Sequence, residues 1–318
     1  MKTVFIGTVE SSYAALEELL RNNIDIDAIF TLDKNKYNSD FKRLKPLAEN
    51  AGIKTYLIKN INNQENIERL KQIKPDFIFV IGISQIVKKQ ILKIPKYGCI
   101  GFHPSLLPKN RGRGVIPWTI LREIKETGVT LFYLDEGMDS GDIIAQKKIN
   151  IDERETARTL YDKVIKALKK VIRNNINDIL QGNINLIKQD ANKATYCAKR
   201  TPRDGIIDWN KSAYNIDKLI RATTKPYPGA YTYYKGKKLI IWSSELLNKD
   251  NHIAKHGQIV EIISGKGVKV KTGDGLLLIH EIEYLGKFMI ASELFEFPGI
   301  KFDDLYDLYL QLKQINIT

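Results

Sequence analysis

The residues best suited to acid–base chemistry lie between Gly98 and Asp142. This segment contains His103, the only histidine of the first two hundred residues, and the acid-rich sequence DEGMDSGD at 135–142. Apolar residues before the histidine predict a buried strand, and α/β enzymes place reactive groups just beyond the carboxyl ends of such strands. A carboxylate that faces the imidazole would fix its tautomer and its charge. Spacing alone does not identify which of the acids does so.

Five further residues could contact a substrate. Arg111 and Arg113 could hold a phosphate, as arginine forks do, or could be solvated loop charges. Gly7 and Thr8 follow the first predicted strand, where α/β folds often bind a phosphate group. Tyr227 lies between two prolines and could stack on an acceptor or pack at a domain junction.

Composition limits the class of protein. The chain has 318 residues, of which 43% are hydrophobic, which is enough for two domains with ordinary cores. No apolar run reaches the roughly 18 residues of a membrane helix, and the N-terminus resembles a strand more than a signal peptide. Two cysteines give neither a disulfide framework nor a metal cluster, so we expect no metal and a cytoplasmic location. The net charge of +13 suits a phosphate-rich partner, although the lysines are scattered.

The periodicity predicts an α/β fold: a doubly wound, mainly parallel sheet (Rossmann-like), followed by a small OB-like β-barrel. We expect a catalytic domain at 1–182, a linker at 183–202 and the C-terminal domain at 203–318. Strands of the first domain are expected at Thr3–Ile6, Asp27–Leu32, Lys54–Ile58, Asp76–Ile81, Cys99–Phe102, Val129–Leu134 and Ile143–Ile149. Strands of the second are expected at Ala230–Tyr234, Leu239–Ser243, Gln258–Ile263, Gly267–Thr272 and Gly275–Glu283. The main helices are expected at Tyr13–Leu20, Phe41–Ala51, Asn66–Ile73, Ile116–Ile124, Thr156–Leu180, Tyr214–Ala222 and Phe302–Gln314.

Several motifs together resemble those of the formyltransferases that use 10-formyltetrahydrofolate. They are HPSLLP, TGVT and DEGMDSGDI in the first half, and ATYCAKRTPRDGIIDW and IRATTKPYPGAY in the second. The group includes the methionyl-tRNA, glycinamide ribonucleotide and sugar-nucleotide enzymes, and the resemblance to the first and third covers nearly the whole chain. It implies a Rossmann-like transferase with 10-formyltetrahydrofolate as co-substrate.

The resemblance also implies catalytic roles. His103 and Asp139 match the family histidine and aspartate, which promote attack of an acceptor amine on the formyl carbon. The family asparagine, two residues before the histidine, is replaced by Gly101. Three explanations stay open: the backbone N–H of Gly101 or a water substitutes for the missing amide, Asn110 reaches in, or activity is slow or altered.

The folate site of such enzymes lies along the loop after the fourth strand and the loop that carries the aspartate. By this resemblance the backbone groups of Gln85 and Val87 would bind the pterin edge, with Cys99 in the wall. Val87 and Cys99 could equally be ordinary packing residues. The complete set expected to bind the co-substrate is Ile83, Gln85, Val87, Cys99, Leu134 and Asp142.

The acceptor is expected to be a nucleotide-linked amino sugar. The tRNA enzymes usually carry a basic, glycine-rich insertion after the second strand, and the corresponding segment here, TLDKNKYNSDFKRLKPLAEN, is short and lacks it. The positive charge keeps methionyl-tRNA as the alternative. A catalytically degenerate folate- or nucleotide-binding protein is a third possibility, because of Gly101. Family analogy also suggests a homodimer.

Overall fold

The structure, a computed structural model, describes residues 1–33, 39–247, 250–304 and 307. The chain forms two compact units. The first comprises 1–116, 124–152 and 159–199; the second comprises 117–123, 153–158 and the residues from 200 onward. The helix expected at Phe302–Gln314 falls mostly outside the described residues.

A seven-stranded sheet forms the first unit. The spatial order is β3-β2-β1-β4-β5-β7-β8. The first five strands are parallel, and β7 alone runs antiparallel to its neighbours β5 and β8 in this sheet of the described residues. The mainly parallel sheet predicted from the sequence is therefore confirmed. The strands are β1 (Thr3–Gly7), β2 (Ala28–Thr31), β3 (Lys54–Leu57), β4 (Phe77–Ile81), β5 (Gly98–His103), β7 (Glu126–Tyr133) and β8 (Ile143–Asn150).

The central strands are buried along their whole length, because helices cover parallel sheets on both faces. Helix α2 begins only at Lys45, since Pro46 lacks an N–H and is tolerated just in the first turn. The helices are α1 (Glu10–Arg21), α2 (Lys45–Asn50), α3 (Gln64–Ile73), α4 (Lys89–Leu92), α5 (Val115–Leu121) and α6 (Ala157–Gln181).

The segment predicted as a linker differs from that expectation. Residues 183–199 belong to the first unit, where β9 (Tyr196–Cys197) pairs with the short strand β6 (Arg111–Gly112). Ile187 forms a bridge with Ile143 on β8. Its polar composition suggested a linker, but these polar groups hydrogen-bond to the loops of the first unit.

The second unit has two four-stranded antiparallel sheets, ordered β10-β11-β16-β17 and β12-β15-β14-β13. Both sheets and helix α7 (Ala213–Thr223) contribute to one apolar core. An antiparallel β domain was predicted and is confirmed. The sequence indicated five strands, whereas the described residues of this unit form eight; the strand expected at Gly275–Glu283 is divided at His280. The strands are β10 (Ala230–Tyr234), β11 (Lys237–Ile241), β12 (Ser244–Leu247), β13 (Ile259–Ile263), β14 (Gly267–Lys271), β15 (Leu276–Ile279), β16 (Glu281–Tyr284) and β17 (Lys287–Ile290).

Among the described residues, no helix is both long and apolar enough to cross a membrane. The same ranges contain no cluster of three or more His, Cys, Asp or Glu side chains arranged to hold a metal ion.

Candidate active site

The imidazole of His103 occupies the end of β5 and is held from two sides. Its Nε2 lies 2.7 Å from the carbonyl oxygen of Asn110. A carbonyl oxygen only accepts hydrogen bonds, so Nε2 carries a proton. Its Nδ1 lies 3.5 Å from Oδ2 of Asp139. The buried ring therefore faces a carboxylate with the one nitrogen that can gain or lose a proton.

The carboxylate of Asp139 has its own supports. Its Oδ2 accepts a hydrogen bond of 2.8 Å from the Gly112 amide, and its backbone has a positive φ of 51°, which Asp tolerates better than most residues. Nε2 of Gln189 donates to the carbonyl oxygens of Asp139 (2.9 Å) and Gly141 (2.7 Å). With 23% of its side chain exposed, Asp139 remains reachable from solvent.

The other acids of the DEGMDSGD loop have different partners. Asp135 accepts from the hydroxyl of Ser140 and the amide of Gly137, which closes a tight turn. Glu136 pairs with Lys89 at 2.6 Å. Asp139, the acid that the family resemblance implies, is thus the one in this loop whose carboxylate lies 3.5 Å from the imidazole.

Position 141 in this loop accepts no residue other than glycine. A Cβ atom there would lie 1.8 Å from the carbonyl oxygen of Tyr133, a backbone atom. The amide of Tyr133 in turn donates to the carbonyl oxygen of Asp142. The glycine therefore lets the loop return against β7.

The structure leaves no space for a side chain at Gly101. A Cβ atom there would lie 2.4 Å from Cδ2 of Leu134 and 3.3 Å from Cε1 of Phe132. The Leu134 amide donates to the Cys99 carbonyl oxygen, so Cys99 and Leu134 are a hydrogen-bonded pair of the antiparallel strands. Hydrogen-bonded and non-hydrogen-bonded pairs alternate along such strands, so Gly101 and Phe132, two residues further, are the next hydrogen-bonded pair. The Gly101 N–H is therefore committed to the sheet. Neither this N–H nor a water in a vacated space fits the geometry.

The loop at 82–88 follows β4 and offers unpaired backbone groups. In the described parts of the chain, the backbone N–H and C=O groups of Ile83, Gln85 and Val87 make no hydrogen bond. The Gln85 side chain bonds to the backbone of Ile61 and Lys59, both at 2.8 Å, and so fixes the loop. Such an edge can exchange hydrogen bonds with a flat heterocycle such as a pterin.

Two side chains expected in the folate site are packing residues. Val87 and Cys99 are buried in the apolar core of the first unit. Burial raises the pKa of the Cys99 thiol to about 12. Any contribution of Val87 to binding comes from its backbone.

Arg111 does not offer its guanidinium to a substrate. The side chain is buried; Nε and Nη2 bond to Oε1 of Gln189, and Nη1 to the Tyr196 hydroxyl. The prediction that Arg111 holds a phosphate is therefore corrected: it braces the acidic loop through Gln189. Arg113 is exposed, and its Nη2 makes a long contact of 3.4 Å with the carbonyl oxygen of Ser84.

Gly7 and Thr8 do not form an open phosphate site. The amides of Thr8 and Val9 both donate to Oγ of Ser12, at 2.9 and 3.0 Å. The Thr8 side chain is fully buried, and a Cβ at Gly7 would collide with the backbone of Ile81. The expected substrate role of both residues is corrected, because Ser12 already satisfies the amides at the end of β1.

Tyr227 belongs to the second unit. It is half-buried, and its amide donates to the carbonyl oxygen of Thr224 after α7. Its role in acceptor binding stays a prediction.

Sequence analysis missed two residues beside His103. Gln189 bonds to the acidic loop, and Thr195 accepts a 2.8 Å hydrogen bond from the Asn110 amide through Oγ1. Thr195 lies in the motif ATYCAKRTPRDGIIDW, in the segment expected to be a linker, so the motif was a signal although its place in the first unit was not predicted. Gln189 lies in the supposed linker, and no local pattern singles it out.

His103 and Asp139 form a pair that can accept a proton, at the edge of the sheet where β4 and β5 end. The loop that carries Ile83, Gln85 and Val87 follows β4 at the same edge. This arrangement suits transfer of an acyl group to an amine, because the amine must lose a proton as it attacks.

Comparison with known proteins gives consistent matches. Residues 1–176 match the family described as Formyl transferase, and 199–296 match its C-terminal domain. A methionyl-tRNA formyltransferase of Clostridium novyi is 37% identical over 92% of this chain and 95% of its own. One from Halothermothrix orenii is 36% identical over 93% and 96%. Among solved structures, an N-formyltransferase of Helicobacter canadensis, in complex with folinic acid and dTDP-3-aminofucose, superposes with a TM-score of 0.65 at 24% identity, covering 88% of this chain and 98% of its own.

Proposed function

The chain belongs to the formyl transferase family, and on that premise we propose that it transfers the formyl group of 10-formyltetrahydrofolate to the amine of methionyl-tRNA. One observation carries the choice of acceptor. The two relatives described above are methionyl-tRNA formyltransferases by name, and similarity extends over more than nine-tenths of both chains. The sugar enzyme, at 24% identity, supports the fold alone. The net charge of +13 agrees with a polyanionic acceptor.

The first unit offers a place for the co-substrate. The unpaired backbone of Ile83, Gln85 and Val87 would bind the edge of the pterin, with the partly buried side chain of Leu134 beside it. Asp142, half-buried on the acidic loop, would complete the site. The co-substrate supplies an activated formyl group on nitrogen; the chain supplies orientation and proton transfer.

His103 and Asp139 would handle the proton. The lone pair of the acceptor amine forms a C–N bond to the formyl carbon, and the π electrons of the C=O bond move to its oxygen. The amine loses its proton to Nδ1 of His103, and the carboxylate 3.5 Å away stabilises the resulting imidazolium. The bond from the formyl carbon to folate nitrogen then breaks, and that nitrogen takes the proton, which gives tetrahydrofolate and the formylated amine.

The test is a direct assay of the full chain. Purified protein is incubated with 10-formyltetrahydrofolate and either methionyl-tRNA or a panel of UDP- and dTDP-linked amino sugars, and tetrahydrofolate release is followed. We expect transfer to methionyl-tRNA. Asp139→Asn should lower kcat by about 10²–10⁴-fold, whereas Glu136→Gln, an exposed acid of the same loop, should leave kcat unchanged.

One observation favours a second acceptor, a nucleotide-linked amino sugar. Strand β2 ends at Thr31, and Phe41 already pairs with Val9, so residues 32–40 alone separate them. This leaves little chain for the basic insertion that is usual in the tRNA enzymes. Transfer to an amino sugar but not to methionyl-tRNA would establish this second function. Silence with every acceptor, despite folate binding, would indicate a degenerate enzyme.

A further inference from the structure

The attack of an amine on a formyl carbon places negative charge on the formyl oxygen, and such a charge needs a hydrogen-bond donor. The obvious donors near His103 are already committed. The Gly101 N–H is paired in the sheet, and the Gly112 N–H donates to Asp139. The Nε2–H of His103 donates to the carbonyl oxygen of Asn110. The backbone amides of Arg111 and Arg113 are also unavailable, because they donate to the carbonyl oxygens of Thr195 and Cys197.

The side-chain amide of Asn110 is different. The residue is 91% buried, yet its Nδ2 donates to no other described residue and is not among the enclosed polar atoms that lack a partner. The backbone carbonyl oxygen of Asn110 lies 2.7 Å from Nε2 of His103, so the Asn110 side chain branches from a backbone segment that contacts the imidazole. Asn110 thus combines a backbone that contacts the histidine with a side-chain N–H₂ group that is free to donate, which is the kind of donor that the chemistry requires.

The hydroxyl of Thr195 orients this amide. Its Oγ1 accepts from the Asn110 backbone N–H at 2.8 Å, so the hydroxyl proton is free to donate to Oδ1 of Asn110, 3.4 Å away. With Oδ1 turned to Thr195, Nδ2 turns away from it. The positive φ of Asn110, 57°, is a conformation that Asn accepts readily.

We propose that Nδ2 of Asn110 donates the hydrogen bond that stabilises the formyl oxyanion, in place of the asparagine that Gly101 replaces. This inference rests on the proposed function. Asn110 is then a catalytic residue, and Thr195 is a positioning residue that acts through it.

The experiment compares the parent chain with Asn110→Gly, Asn110→Asp and Lys109→Ala. Glycine and aspartate both accept a positive φ, so neither variant strains the loop. The neighbouring lysine is exposed and serves as the control. Measurements are kcat with the acceptor that the parent uses, and the Kd for tetrahydrofolate. Asn110→Gly should lower kcat by about 10²–10³-fold with Kd changed less than about twofold. Asn110→Asp should be slower still, because a carboxylate repels the oxyanion.

The outcomes separate the two hypotheses. A parent that transfers formyl groups, beside an Asn110→Gly variant whose kcat is within about threefold of it, overturns the role of Asn110 and leaves the function standing. A parent that is inert with every acceptor overturns the function, and the oxyanion donor with it. A Thr195→Val variant gives an independent check: a positioning role predicts a lower kcat at an unchanged KM for the folate, whereas a general loss of folding would lower the thermal midpoint and the folate affinity together.

Discussion

Restoring the asparagine at Gly101 should destabilise the first unit. A Cβ there would approach Cδ2 of Leu134 to 2.4 Å, whereas carbon atoms in contact normally stand about 3.5–4.0 Å apart. Leu134 must therefore move by more than 1 Å or leave its rotamer, and Cε1 of Phe132 also lies close, 3.3 Å from the same Cβ. Overpacking of this kind costs about 1–3 kcal/mol. We expect Gly101→Asn to lose that amount of unfolding free energy.

Removing the obstacle should recover part of the loss. Leu134→Ala on its own costs about 2–3 kcal/mol, as a large-to-small change in a side chain that packs against two apolar clusters. In the double variant Gly101→Asn/Leu134→Ala the new side chain occupies the vacated space. The total cost should then be smaller than the sum of the single costs by about 1–2 kcal/mol.

The buried Cys99 thiol provides an assay that reports on the first unit alone. In a Cys197→Ser background, pulsed thiol labelling in increasing urea measures the fraction of molecules in which Cys99 is exposed. Gly52→Asn is the matched control, since a Cβ there meets nothing within 4 Å and Asn tolerates its φ of 69°. A Gly101→Asn chain that unfolds within about 0.5 kcal/mol of the parent, with no coupling to Leu134, would show that this position is not closed.

Three further predictions concern other parts of the structure. Gln189→Ala removes the two hydrogen bonds by which Nε2 holds the loop of Asp139, so kcat should fall at least about tenfold because the carboxylate is misplaced. Gln189→Glu also lacks this donor and should lower kcat by a similar factor; equal kcat in Gln189→Ala and parent would refute the bracing role. Burial holds the pKa of Cys99 at about 12, above its ordinary value, so the folded state keeps the proton more tightly and stability falls as pH rises from about 9 towards 12, by up to about 1.4 kcal/mol per pH unit; Cys99→Ala should remove that difference in urea titrations of the two chains. In the second unit, Arg221→Met removes one of the two arginines that pair with the buried carboxylate of Asp217, which keeps Arg154 and the hydroxyl of Ser244 as partners. The loss should cost about 1.5–3 kcal/mol in calorimetry, as for a hydrogen bond to a charged group, and a loss below about 1 kcal/mol would show that the pair is not needed.

Local features of the sequence determined most of the elements. The buried strands of the first sheet were predicted within a few residues, because continuous apolar runs bounded by polar turns describe strands covered on both faces. Pro46 explains why α2 begins at Lys45 and not at Phe41, because its ring fixes φ and removes a donor. The order of strands and helices alone indicated a Rossmann-like sheet, and His103 was located at the end of β5 from the apolar strand before it.

Only the tertiary structure decided what surrounds His103. Four acids lie in one short loop, and the fold alone brings Asp139, rather than its neighbours, to the imidazole. Thr195 reaches Asn110 across 85 residues of chain. The tertiary structure also decided which expected positions are occupied by other side chains. Leu134 fills the space of the expected asparagine at Gly101, and Ser12 accepts a hydrogen bond from the Thr8 amide, where a phosphate was expected. Periodicity records which face of an element is apolar, because burial repeats with the strand or the helix. A hydrogen-bond partner or a filled space depends on two distant segments that meet, and no spacing along the chain encodes that meeting.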